Sequence, residues 1–229
     1  MAPSPLLVVG LGNPGREYAA TRHNVGWMAV DRLASDLGAP EPRKKFHGEF
    51  AKGSLEGRDV FLLEPGTYMN DSGRSVAAAV GFFRVDPADM IVIHDELDLG
   101  FGDVRLKLGG GHAGHNGLRS IVAHLGTADF VRVRVGIGRP PAGFTGDMAD
   151  WVLSPFYASE RADLADVVGR AAGAVRRVVE VGLAEATKET NTRKKSKRQE
   201  ETAPAEPSGP GSQQKGAQET RMRYKPAAV

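Results

Sequence analysis

Histidine, aspartate and asparagine side chains fall at the ends of the elements expected from this 229-residue sequence, where they could handle protons and amides. His23 lies between a glycine turn, Gly10-Leu11-Gly12-Asn13-Pro14-Gly15, and the start of a helical pattern. Asp95 closes the most apolar short run of the chain, Met90-Ile91-Val92-Ile93, within His94-Asp95-Glu96-Leu97-Asp98. Ligands of open α/β sheets bind beyond the carboxyl ends of the strands. If Leu6–Val9 and Met90–Ile93 are parallel neighbours, His23 and Asp95 share that edge. A histidine oriented by a carboxylate acts as a general base near neutral pH. The plainer alternatives are a structural histidine and an acidic turn that is solvated or holds a metal.

Asn13, Asn70 and Asn116 each lie in a turn beside an element. Asparagine in a turn ordinarily serves its own backbone. Three converging on a His/Asp pair could instead hold a peptide or polarise a carbonyl without bringing charge, because an amide both donates and accepts. Lys107 lies on an expected strand, and Arg132 and Arg134 alternate with valines on another. Such a basic face either binds phosphate or is the wet side of an edge strand.

Other chemistries fit less well. The glycine turn literally spells G-x-G-x-x-G, which suggests a dinucleotide site. Yet eight residues, Arg16 to His23, separate it from the helix, and the acidic residues in range, Asp31 and Asp36, fall on that helix. A tight turn is the simpler reading. His112 and His115 are spaced i,i+3, but in a glycine-rich loop rather than on a helix. No Ser sits in G-x-S-x-G, so a serine hydrolase elbow is missing. Zero cysteines exclude disulfides, a thiolate nucleophile and Cys-ligated metal centres. Water activated by histidine is the simplest chemistry left.

The elements that must position these groups alternate. Leu6–Val9 is expected as a buried strand, followed by a helix capped at Asn24 and stopped at Gly38. Glu49–Leu55 and Asp59–Leu63 are expected as a hairpin, then a helix from Asp71 or Ser72 to Phe83. Met90–Ile93 and Val104–Leu108 are expected strands, Leu118–Leu125 a helix and Phe130–Ile137 a half-buried strand. A short helix near Asp147–Leu153 and a long one from Ser159 to about Ala186 follow. This order argues for a single α/β domain whose mostly parallel, mixed sheet is flanked by helices on both faces.

Composition bounds the rest. The chain is 41% hydrophobic and 25% charged, as soluble globular proteins are. No apolar run approaches the roughly 18–20 residues needed to cross a bilayer. Met1–Pro5 lacks the basic region of a secretory signal, so a cytoplasmic protein is expected. From Asn191 the chain holds nine Lys/Arg and four Asp/Glu, a net +5; residues 1–190 hold 21 and 24, a net −3. From Lys188 on the text is polar and basic, with too few apolar side chains to offset ordering entropy. The expectation is a folded unit over 1–190 and a disordered basic tail over 191–229. That charge suits an anionic partner, or is merely solvating.

Five blocks together resemble the bacterial peptidyl-tRNA hydrolase family. They are Val9–Gly15, Thr21–Gly26, Pro65–Gly73, His94–Asp98 and Gly109–Leu118, in a likeness running from about Leu6 to Asn191. The resemblance implies cleavage of the ester between a peptide and the 3′ end of tRNA, with peptidyl-tRNA as partner, no cofactor, no metal and a monomer. It implies His23 as general base, Asp95 as its orienting carboxylate, and Asn70 and Asn116 as holders of substrate or water. Asn13 would tell a blocked nitrogen from a free amine. Tyr18 and Tyr68 would line the groove, the second position being often Phe in the family. Lys107 and Arg134 would clamp the tRNA 5′-phosphate, and Gly143–Leu153 would form a lid. A non-catalytic RNA-binding relative of the same fold is the alternative.

Overall fold

The structure, a computed structural model, describes residues 3–192. Seven strands form one sheet in the order β2-β3-β4-β1-β5-β7-β6. The four central strands, β4 (Arg58–Pro65), β1 (Leu6–Gly10), β5 (Met90–Glu96) and β7 (Val131–Gly136), run parallel to one another. The flanking strands β2 (Arg43–Lys45), β3 (Gly48–Leu55) and β6 (Val104–Leu108) join antiparallel. The sheet is therefore mixed: its centre is parallel and its margins are not. β1 and β5 are buried along their whole length, which is why Leu6–Val9 and Met90–Ile93 read as unbroken apolar runs; the buried His94, Asp95 and Glu96 that end β5 are its polar exceptions.

Two apolar layers cover the sheet. On one side Val8, Ile91, Ile93 and Val133 pack with α1 (Val25–Asp36) and α5 (Ala158–Val181), through Leu33, Ala171 and Val175. On the other, Leu7, Val9 and Val92 pack with α2 (Ser72–Phe83) and α3 (Asn116–Leu125), through Val76, Leu118 and Ile121. Helix α1 lies close on the sheet because two glycines meet: a Cβ on Gly10 would stand 2.4 Å from the Gly26 carbonyl oxygen. The glycines of the G-x-G-x-x-G string thus serve helix–strand packing as well as the turn.

The expected elements form, with four differences. The β3–β4 hairpin turns through Glu56 and Gly57, both at positive φ, as a tight hairpin requires. The short basic strand β2 is additional; three charged residues carry no period-2 signal. Asn24 precedes α1 but makes no side-chain cap, being engaged elsewhere. The long C-terminal helix is two, because Gly182, at φ 81°, ends α5 before α6 (Leu183–Thr192) begins. Order continues beyond Lys188. The Asn191 amide accepts from Leu106 N–H at 2.8 Å and donates to Leu106 C=O at 3.0 Å, so it covers the open edge of β6. The remainder of the expected tail, 193–229, lies outside the described residues.

Candidate active site

The carboxyl ends of β1 and β5 are adjacent, with Gly10 opposite Ile93, and the functional groups gather there. The chain leaves β1, passes Asn13 and Tyr18, and enters a 3₁₀ turn at Arg22–Asn24. That turn carries His23, 8% exposed. Arg22 anchors it. The Arg22 side chain is fully buried, paired with both oxygens of Glu160 at 3.0 and 2.5 Å, and stacked 3.9 Å from the Trp151 ring centroid. Its backbone N–H donates to Ser154 C=O. Asn24 holds the preceding loop: it accepts from the Asn13 backbone N–H at 3.0 Å and donates to the Asn13 carbonyl at 2.9 Å. The local pattern that suggested a helix cap instead forms a tertiary clamp.

His23 Nδ1 lies 2.8 Å from Asp95 Oδ1. The same oxygen is 3.0 Å from His115 Nε2. His115 precedes α3, and its Nδ1 accepts from the Gly117 and Leu118 N–H groups. That acceptance places the neutral His115 proton on Nε2, so His115 donates to Asp95. His23 donates from Nδ1, which leaves its Nε2 with a free lone pair. One carboxylate thus orients two imidazoles, whose centroids are 5.0 Å apart.

The electrostatics follow. Burial disfavours a charged His23, but the charge and hydrogen bond of Asp95 outweigh it and raise its pKa above the ordinary imidazole value. Burial alone would raise Asp95; His23 and His115 instead hold it well below the usual carboxylate range. His94 is different. Burial, with His115 beside it, pushes its pKa down to about 3, so it stays neutral and donates from Nδ1 to the Asp95 carbonyl at 2.7 Å. Ligand atoms of His23, Asp95 and His115 lie within 4.8 Å of one another, the one metal-like group among the described residues. In the hydrogen-bonded arrangement, the histidine nitrogens that face Asp95 are its donors.

A cleft of about 610 Å³ opens over this array. Asn13, Tyr18, Tyr68, Asn70 and Asn116 all line it, together with His23 and Asp95. Asn13 is buried, and its Oδ1 accepts from Met69 N–H at 2.7 Å. Tyr68, Asn70 and Asn116 are exposed. Met148, Ala149, Val152 and Leu153, from and just after α4 (Met148–Val152), add an apolar wall. This is the stretch expected as a lid.

The cations stand apart. Lys107 and Arg134 do not line the cleft; they lie on β6 and β7, beyond β5. Register pairs Lys107 with Arg132 and Arg105 with Arg134, so all four share one face of the sheet. Lys107 is exposed, whereas Arg134 donates to Glu96 Oε2 at 2.8 Å. Arg132 is buried, so the basic face is only partly wet.

Sequence reasoning missed His115 as a site residue. Its i,i+3 partner His112 pointed to a weak metal pair, while its contact with Asp95 spans twenty residues through the sheet. A histidine immediately before a helix was the signal on offer.

The chain is similar to known proteins over most of its length. The chain is 56% identical to a peptidyl-tRNA hydrolase of Sorangium cellulosum over 223 residues, 97% of this chain and 94% of that one. It is 55% identical to the Mycobacterium marinum peptidyl-tRNA hydrolase over 180 residues, covering 78% and 93% of the two chains. A crystal structure of the Acinetobacter baumannii peptidyl-tRNA hydrolase superposes with a TM-score of 0.77 at 42% identity, covering 85% of this chain and 97% of that one. The family description "Peptidyl-tRNA hydrolase" matches residues 7–199, so a chain whose paired histidines meet on one carboxylate belongs to the peptidyl-tRNA hydrolase family.

Proposed function

We propose that the protein hydrolyses the ester joining a peptide to the 3′ end of tRNA. The observation that carries this is the His23–Asp95 pair at the floor of an amide-lined cleft. His23 Nε2 takes a proton from water as the water oxygen attacks the ester carbonyl carbon. Asp95 stabilises the imidazolium. The tetrahedral intermediate collapses with cleavage of the bond to the ribose oxygen, which receives the proton back from His23. The products are a peptide with a free carboxylate and a tRNA with a free terminal hydroxyl.

An ester to a ribose hydroxyl has a fair leaving group, so one base and neutral donors suffice. Asn70 and Asn116, at the rim, hold the substrate or the water. Asn13, its Oδ1 occupied by Met69, offers donors to the peptide and distinguishes it from a free amine. Tyr18 and Tyr68 flank the groove, and the α4 stretch covers it. Lys107 and Arg134 meet the tRNA phosphate outside the cleft. A monomer is the working unit this reading takes. No helix among the described residues is long and apolar enough to cross a membrane, in keeping with an enzyme of the cytoplasm.

The test is hydrolysis of N-blocked peptidyl-tRNA against free aminoacyl-tRNA by the wild type and by His23→Ala. Cleavage of the blocked substrate alone, abolished in the variant, is the expected result. A wild type that binds tRNA without cleaving either would leave the non-catalytic RNA-binding relative as the answer.

A further inference from the structure

Arg132 shares a sheet face with Lys107 and Arg134, yet it cannot do what they do. The residue is 2% exposed, and its guanidinium sits 5.0 Å from the centroid of the Phe130 ring. Its fork points at backbone: Nη1 donates to Gly111 C=O at 2.6 Å and Nη2 to Gly110 C=O at 2.5 Å. These carbonyls belong to the loop between β6 and α3. That loop folds back on itself, with Gly109, Gly110, Ala113 and Gly114 all at positive φ. A glycine-rich loop loses more freedom on ordering than any other kind of chain. It therefore needs fixed partners, and two charge-assisted bonds from one rigid planar group are the strongest available to a carbonyl pair.

What the loop carries makes this matter. It begins directly after Lys107–Leu108 and ends at His115, which holds Asp95, and Asn116, which lines the cleft. The tip of Lys107 lies against Gly110 itself: a Cβ there would stand 2.8 Å from its Cε and Nζ. We infer that Arg132 is a positioning residue, a buried fork that sets the Gly109–Gly114 loop and thereby places His115 and Asn116 for hydrolysis, rather than a ligand of tRNA phosphate. The inference rests on the proposed hydrolase reading and assigns a role within it.

Arg132→Lys keeps the charge and loses the fork; Arg132→Met loses both. Displacement of a reacting group by an ångström costs up to about a hundredfold in rate. Steady-state kinetics of the full-length chain on peptidyl-tRNA, and on a short 3′-terminal ester fragment, separate the roles. The expected result for Arg132→Lys is a kcat lower by about tenfold on both substrates, with an unchanged salt dependence of KM. Arg132→Met should lose about a hundredfold if its circular dichroism remains native, and Arg132→Lys decides the matter if it does not. A raised KM confined to full-length tRNA, with a salt slope smaller by about one, would make Arg132 a phosphate ligand and overturn the inference. So would a wild-type kcat in Arg132→Lys. A wild type inactive on both substrates would instead refute the hydrolase reading itself.

Discussion

Replacing Asp95 with Asn removes one charge from the array while keeping its shape. Two imidazole N–H groups, at 2.8 and 3.0 Å, point at the same Asp95 oxygen. His115 cannot reverse its role, because its Nδ1 is held by two backbone N–H groups. The amide introduced by Asp95→Asn must therefore turn its oxygen to both histidines, so His23 keeps its proton on Nδ1 and its lone pair on Nε2. The loss is then one of strength. Hydrogen bonds to a charged group contribute roughly 1.5–3 kcal/mol against roughly 0.5–1.5 for neutral ones. The difference of about 1–1.5 kcal/mol at His23 is about tenfold in rate, and the lost stabilisation of the imidazolium brings the expected fall in kcat to about ten- to hundredfold. The base works when neutral. Asp95 raises the His23 pKa, so its removal should shift the acid limb of the kcat/KM–pH profile to lower pH. Adding His115→Ala frees the amide to rotate, offer its N–H to His23 Nδ1 and drive the proton onto Nε2. The double variant should lose at least about another tenfold, as a histidine in the wrong tautomer does. Single-turnover hydrolysis across pH 5–8 measures both effects. An acid limb that stays in place, or a double variant no slower than Asp95→Asn alone, would refute the reasoning.

Other expectations are simpler to check. His23→Ala should lose about two to four orders of magnitude in kcat while still retarding tRNA in a gel, and an active variant would remove His23 as the base. Lys107→Ala should raise KM for full-length peptidyl-tRNA and reduce its salt slope by about one, with the fragment substrate unaffected; equal loss on both would place Lys107 at the ester. Glu160→Ala leaves the buried Arg22 charge unpaired beside His23, and urea denaturation should show a loss of about 3–5 kcal/mol. A chain ending after Thr192 should keep the melting temperature and kcat of the full protein, as expected if 193–229 is an electrostatic appendage. One ending after Lys188 loses both Asn191 bonds to Leu106, about 1–2 kcal/mol, and should melt a few degrees lower.

Much of this protein is legible without coordinates, for a physical reason. Burial on both faces writes β1 and the first four residues of β5 as unbroken apolar runs, and a one-sided helix writes α1 as apolar spacings of three and four. Those local signals, with the rule that parallel strands present their carboxyl ends to ligands, put His23 and Asp95 at one edge on the condition that β1 and β5 are neighbours, and the sheet order meets that condition. The motif blocks brought Asn13, Asn70 and Asn116 to it as well. The tertiary structure decided which partner each polar group takes. Asn24 reads as a cap, yet its amide closes on Asn13. Arg132 and Arg134 read alike along β7, yet one is buried under a glycine loop and the other pairs with Glu96. His115 reads as half of a metal pair, yet its ring completes the Asp95 array. A side chain's period along an element reports only which face it is on. Its hydrogen-bond partner depends on which distant backbone the sheet order brings opposite that face, and strand order has no local signature in the chain.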